Sequence, residues 1–94
     1  MNQFDVIEVQ GELGVVVESH LLAPAKTVVA IPLMTDYPAG RFLNPTITVG
    51  GVSRVLATRL ISSIPKGLAK PTGENVAGCR DEIIRAIDVM ISGV

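Results

Sequence analysis

Residues 74–94 read ENVAGCRDEIIRAIDVMISGV, the most regular stretch in the chain. Val76, Ile83, Ile87, Met90, Ile91 and Val94 recur at spacings of three, four and seven, which a 3.6-residue helix collects on one side. Asp81, Glu82, Arg85 and Asp88 then face away, with Asp81 and Arg85 four residues apart and the acid first. Acidic residues at 74, 81 and 82 suit the amino end of a helix, and Gly93 suits a carboxyl-terminal cap. The spacing therefore predicts one long helix over 74–94. Its last turn, residues 90–94, is expected to be a contact surface, because the sequence ends there instead of leading into another element.

Everything upstream reads as short extended segments. Residues 66–73 are punctuated by Gly67, Pro71 and Gly73 and are expected to form a connecting loop. Leu60, Ile61 and Ile64 carry an apolar pattern up to Pro65, while 46–49 and 52–58 form a hairpin whose turn is Gly50-Gly51. Residues 36–43 contain Pro38, Gly40 and Arg41 and read as a loop. The run TVVAIPLM at 27–34 is the densest apolar segment and is expected to be the central, most buried strand, with Pro32 at a bulge or near its end. Pro24 interrupts 20–26, which places Leu21 and Leu22 in a loop. Segments 3–10 and 13–19 form a first hairpin, with its reversal expected over Gly11–Gly14. Five or six short strands without βαβ spacing exclude a doubly wound sheet. They predict a mainly β, partly closed antiparallel barrel with one C-terminal helix, formed by a single domain over 1–94.

A chain of 94 residues has room for one thin core, burying roughly 60–65% of the surface its unfolded form exposes. A hydrophobic content of 48% and mean hydropathy of +0.47 leave more apolar surface than a small monomer hides, which favours oligomerisation. Net charge of −1 and pI near 5.7 provide no basic stripe for nucleic acid. No apolar run approaches a membrane span, and the opening MNQFDVIEVQGE carries acids where a signal peptide carries lysines, so a cytoplasmic location is expected.

Catalytic chemistry has little to build on. His20 and Cys79 are each the single residue of their type, so neither a metal site nor a cofactor is expected, and Cys79 reads as a small packing residue. Ser62-Ser63 has no acid or base nearby in sequence, and Gly50-Gly51 lacks the lysine of a phosphate loop. Arg41, Arg54 and Arg59 read as surface charges, with stabilisation of a phosphoryl transition state as the competing reading.

The stretch VVVESHLLAPAKTVVAIPL at 15–33 resembles the CcdB family of bacterial toxin–antitoxin toxins. So do LNPTITV at 43–49, Ser63-Ile64-Pro65, and residues 81–94, which follow the family's closing helix of the form N-D-I-x-x-A-I-x-x-M-x-x-G-I. The likeness implies an SH3-like antiparallel barrel of the CcdB/MazF type and a homodimer. It further implies that paired helix ends enter the dimer groove of the DNA gyrase A subunit, and that a CcdA-like antitoxin neutralises the toxin without any bond being broken. Carried onto this chain, the gyrase-facing positions are Leu21, Leu22, Asp88, Ser92, Gly93 and Val94. One of the two leucines capping the core is an equally open reading. Ile87, Met90 and Ile91 read as core or dimer contacts.

Two departures from the family pattern bear on potency. Ser92 stands where the gyrase poisons carry tryptophan, and Asp88 where they carry asparagine. The alternatives are therefore a homologue that has lost gyrase poisoning, or a MazF-like endoribonuclease on the same barrel.

Overall fold

The eight-residue apolar run becomes the strand on which the sheet is assembled. The computed structural model describes residues 1–19 and 25–93. Strands β1 (Asp5–Val9), β2 (Glu12–Val16), β3 (Thr27–Met34), β4 (Thr46–Val49), β5 (Val52–Leu56), β6 (Ser62–Pro65) and β7 (Lys70–Asn75) precede the helix α1 (Arg80–Ser92). All pairings are antiparallel, in the order β4-β5-β3-β2-β1-β7. β6 lies off this path. Along one edge of β3, β5 pairs with Leu33 and Met34 while β6 pairs with Thr27–Ala30, so one long strand carries two short ones in succession. The result is a curled, half-barrel antiparallel sheet with one C-terminal helix, as the strand pattern implied.

Alternation along β3 divides the interior in two. Ile31 and Leu33 join Phe4, Val6, Val15, Ile47 and Leu56 in a cluster that Ile83 and Ala86 of the helix close. Val28 and Ala30 join Ile7, Val16 and Ala69 in a second cluster. Burial at this scale contributes roughly 1.5–3 kcal/mol for each large aliphatic side chain.

Both hairpin turns need left-handed backbone. Gly50 and Gly51 have φ of 59° and 80°, as expected from the sequence. The first reversal differs from the expectation: it lies at Gln10-Gly11, with φ of 52° and 86°, and Glu12 already belongs to β2. Gly14 instead sits in the sheet opposite Pro32, where a Cβ would meet the Ile31 carbonyl oxygen at 3.4 Å.

Half of the expected connecting loop at 66–73 is strand, and Lys66–Leu68 form a 3-10 turn. β7 covers Lys70–Asn75, exposed at every position, so the helix begins at Arg80 and not at residue 74. Its pairing with β1 is irregular: Asp5 faces Asn75 but Ile7 faces Pro71, leaving extra residues on β7. Side chains compensate there, with the Thr72 hydroxyl donating to the Val6 carbonyl at 2.8 Å and the Asn75 amide donating to Asp5 Oδ1 at 2.9 Å. Val76 is buried ahead of the helix, its N–H donating to the Phe4 carbonyl at 2.9 Å. A single turn of 3-10 helix, Ala77–Cys79, then leads into α1, whose first turn carries Asp81 and Glu82. Cys79 is half-buried against the core, the packing role expected of it. Among the described residues no helix is long and apolar enough to cross a membrane.

Candidate functional site at the end of the helix

Counting 100° per residue from the buried pair Ile83 and Ala86 assigns each remaining side chain of α1 to a flank. Ile87 and Met90 stay near the buried side, and both are half-buried, with Ile87 against the core. Ile91 was grouped with them by spacing, yet it falls to one side and is 75% exposed. It is a surface residue. Ile84, half-buried, lies on the same flank. Asp88 and Ser92 occupy the outward face, and Arg85 and Val89 the opposite flank.

The last turn is closed by its own atoms. Gly93 has φ of 74° and donates its N–H to the Val89 carbonyl at 2.8 Å, a left-handed cap that side chains with a Cβ resist. The Ser92 hydroxyl donates to the Asp88 carbonyl at 2.6 Å, so it folds back on the helix instead of projecting from it. Of the residues carried over by resemblance, Asp88, Ser92 and Gly93 therefore gather on one exposed helix end. Leu21, Leu22 and Val94 lie outside the described residues, as does His20.

The flank occupied by Arg85 holds a feature that sequence reasoning missed. The expected Asp81–Arg85 pairing is replaced by contact between Asp81 and Arg80 at 3.8 Å, with both groups largely in solvent. Arg85 lies over the ring of Phe42, its guanidinium carbon 5.7 Å from the centroid, and Arg41 approaches the same ring at 5.4 Å. Phe42, Arg85, Val89 and Gly93 line a cleft of about 400 Å³. The loop that presents Phe42 is fixed from behind. Gly40 and Asn44 exchange two backbone hydrogen bonds of 3.0 and 3.2 Å, and the fully buried Thr58 donates its hydroxyl to the Leu43 carbonyl at 2.5 Å. Only an Arg-Phe pair in a loop signals this site in the sequence, because Arg85 arrives from more than forty residues away.

The other candidates stay dispersed among separate elements. Arg54 lies on β5, facing Ile47 across the hairpin, Arg59 lies in a 3-10 turn at Thr58–Leu60, and Ser62 and Ser63 are exposed on β6. Among the described residues no group of three or more His, Cys, Asp or Glu side chains is placed to hold a metal ion.

A family model described as CcdB protein matches residues 3–93. A comparison with curated proteins found no match. Among solved structures, a chain of the crystal structure of MazE-MazF (Form-III) from Deinococcus radiodurans superposes with a TM-score of 0.80 at 14% identity. That alignment covers 100% of this chain and 98% of the other. At this identity the likeness concerns the fold.

Proposed function

Since the chain belongs to the CcdB family of toxin–antitoxin toxins, we propose that it acts as a homodimer whose two helix ends bind the DNA gyrase A subunit, and that a CcdA-like antitoxin neutralises it. It acts by occupying a partner's surface and breaks no bond. The observation that carries this reading is Ile91, an aliphatic side chain 75% exposed two residues before the helix cap. Large apolar side chains left in solvent at the end of an element mark contact surfaces, and pairing two protomers across Ile91 would set their helix ends side by side.

A second reading draws on Ser92. Its hydroxyl is bonded to its own helix, so this position supplies no projecting anchor where the family's poisons carry tryptophan. Aromatic anchors at interface centres are commonly worth about 2–4 kcal/mol each, so a serine in both protomers would lower gyrase affinity by orders of magnitude. Supercoiling by purified gyrase, titrated with the wild-type chain and with Ser92→Trp, tests both readings. Inhibition by the wild type supports an active poison. Inhibition by Ser92→Trp alone supports a disarmed homologue. If neither inhibits, the gyrase assignment is wrong.

A further inference from the structure

We infer that a cleft on the sheet face turned away from α1 binds a small linear amine, its ammonium group on the Glu12 carboxylate and its hydrocarbon chain along Gly14, Ala30, Pro32 and Ile64. The site lies apart from the helix end, so it stands or falls independently of the gyrase reading.

Two residues open this cleft. Alternation along β3 sends Ile31 and Leu33 toward the helix and therefore Ala30 and Pro32 to the other face, where Gly14 stands opposite Pro32. A glycine inside a strand leaves a gap in the side-chain layer and often marks the close approach of a ligand or another backbone. Here the fold does not impose the gap. Gly14 is not in the left-handed region, and a Cβ there would meet nothing nearer than the Ile31 carbonyl oxygen at 3.4 Å and the Ala30 Cβ at 3.8 Å. Pro32 supplies the second opening. β6 pairs with β3 only as far as Ala30 and β5 only from Leu33, so the two short strands part beside Ile31 and Pro32. Proline has no N–H to leave unpaired at such a fork, and its carbonyl accepts the Ala57 N–H at 2.9 Å. The parted strands and the absent side chain together leave a cleft of about 270 Å³.

The lining selects the occupant. Gly14 and Ala30 are buried and Pro32 and Ile64 half-buried, a floor and walls suited to hydrocarbon. Glu12 and Ser62 are exposed at the rim, and among the described residues neither side chain has a hydrogen bond or ion pair. The register sets them at opposite ends: Leu13, beside Glu12, faces Leu33, whereas Ser62 faces Ala30, so the cleft runs along β3. An elongated ligand follows from that shape. Among the described residues no basic side chain lines the cleft, which makes Glu12 its one charge. An anion is repelled there and a pure hydrocarbon leaves the carboxylate unused, whereas an ammonium donates a charge-assisted hydrogen bond to it. Sites for drug-sized molecules run to roughly 300–1,000 Å³, so this volume suits a ligand of fewer than about ten heavy atoms.

The test titrates the isotope-labelled full chain with hexylamine, hexanol and hexanoate and follows the backbone amides by two-dimensional NMR. Hexylamine should bind with a Kd of about millimolar and shift the amides of Glu12, Gly14, Ile31 and Ile64. Hexanol should bind about two- to fivefold more weakly, the size expected of one exposed ion pair, and hexanoate more weakly still. Glu12→Gln should bring hexylamine to the level of hexanol. Gly14→Val, whose branched side chain suits a strand and fills the floor, should weaken hexylamine and hexanol by at least about tenfold, and Gly14→Ala by about threefold. Urea unfolding confirms that each variant is folded. Equal affinity of the wild type for hexylamine and hexanol overturns the proposal, as does binding that both Gly14 variants leave undiminished. Shifts of equal size at Asp81 and Asp88, carboxylates outside the cleft, overturn it too. So do cleft amides that move with protein concentration alone, because a second copy of the chain then occupies this face.

Discussion

Replacing Ile91 by glutamine separates a dimer contact from a core residue. Ile91 is 75% exposed in the protomer, so little of the protomer's own packing depends on it, and Ile91→Gln should change the stability of the isolated fold by less than about 0.5 kcal/mol. Its contribution to a twofold interface is larger. Complete burial of an isoleucine side chain is worth roughly 1.5–3 kcal/mol, so covering the three-quarters now exposed contributes about 1–2 kcal/mol per protomer. An interface that uses the residue twice loses about 2–4 kcal/mol in the variant, which raises the dimer Kd by about 30- to 700-fold. Sedimentation equilibrium over a range of protein concentrations measures that Kd, and urea unfolding of the monomeric variant measures the fold. A Kd that moves by less than about threefold refutes the reasoning. A wild-type chain that stays monomeric at about millimolar concentration refutes it as well.

Other positions give equally definite expectations. Ile83→Ala, at the buried junction of helix and sheet, should cost about 2–5 kcal/mol in urea unfolding, in contrast to the small effect of Ile91→Gln. Thr58→Val keeps the shape of the side chain but removes the buried hydroxyl donor from the Leu43 carbonyl; it should cost about 0.5–1.5 kcal/mol in urea unfolding. Gln10→Asn should raise stability by about 0.5–1 kcal/mol in the same assay, because asparagine tolerates the φ of 52° that glutamine is held in there, and Asn-Gly is the favoured pair for such a turn.

The sequence was most legible where a periodic pattern and its burial have the same cause. The strand at 27–34, the hairpin at 46–56 and the helix beyond residue 80 each alternate or recur because one face enters the core, so their apolar residues announce them. β7 was not legible for the opposite reason. Lys70–Asn75 buries none of its side chains, contains Pro71 and Gly73, and is held by backbone pairing to β1 with help from Thr72 and Asn75. No local preference records such a strand. Reading it as a loop extends the helix back to Glu74, although Val76 is buried by packing in the core cluster ahead of the helix, its N–H on the Phe4 carbonyl, and not by helical periodicity. The helix end was legible as a location, while the identity of its exposed residue was not: period 3.6 groups Ile91 with Ile87, and only the position of the sheet shows that the core stops short of it.

The same angular argument gives one short helix two distinct flanks. Ile83 and Ala86 fix the buried direction, and every other position follows from it. Ile84 and Ile91 then fall on one flank, while Arg85 and Val89 fall on the other, beside the Arg41-Phe42 loop. That loop is anchored through Leu43 to Thr58, in the same 3-10 turn that packs against the helix. The sheet thus sets the rotation of the helix and the position of the loop together. A substitution that rotates α1, such as an enlarged side chain at Ala86, disturbs the apolar flank and the arginine cleft at once, whereas a change at Ile91 or at Phe42 disturbs only its own side. Two distinct exposed flanks on one thirteen-residue helix are therefore a consequence of how its buried stripe is seated on the sheet.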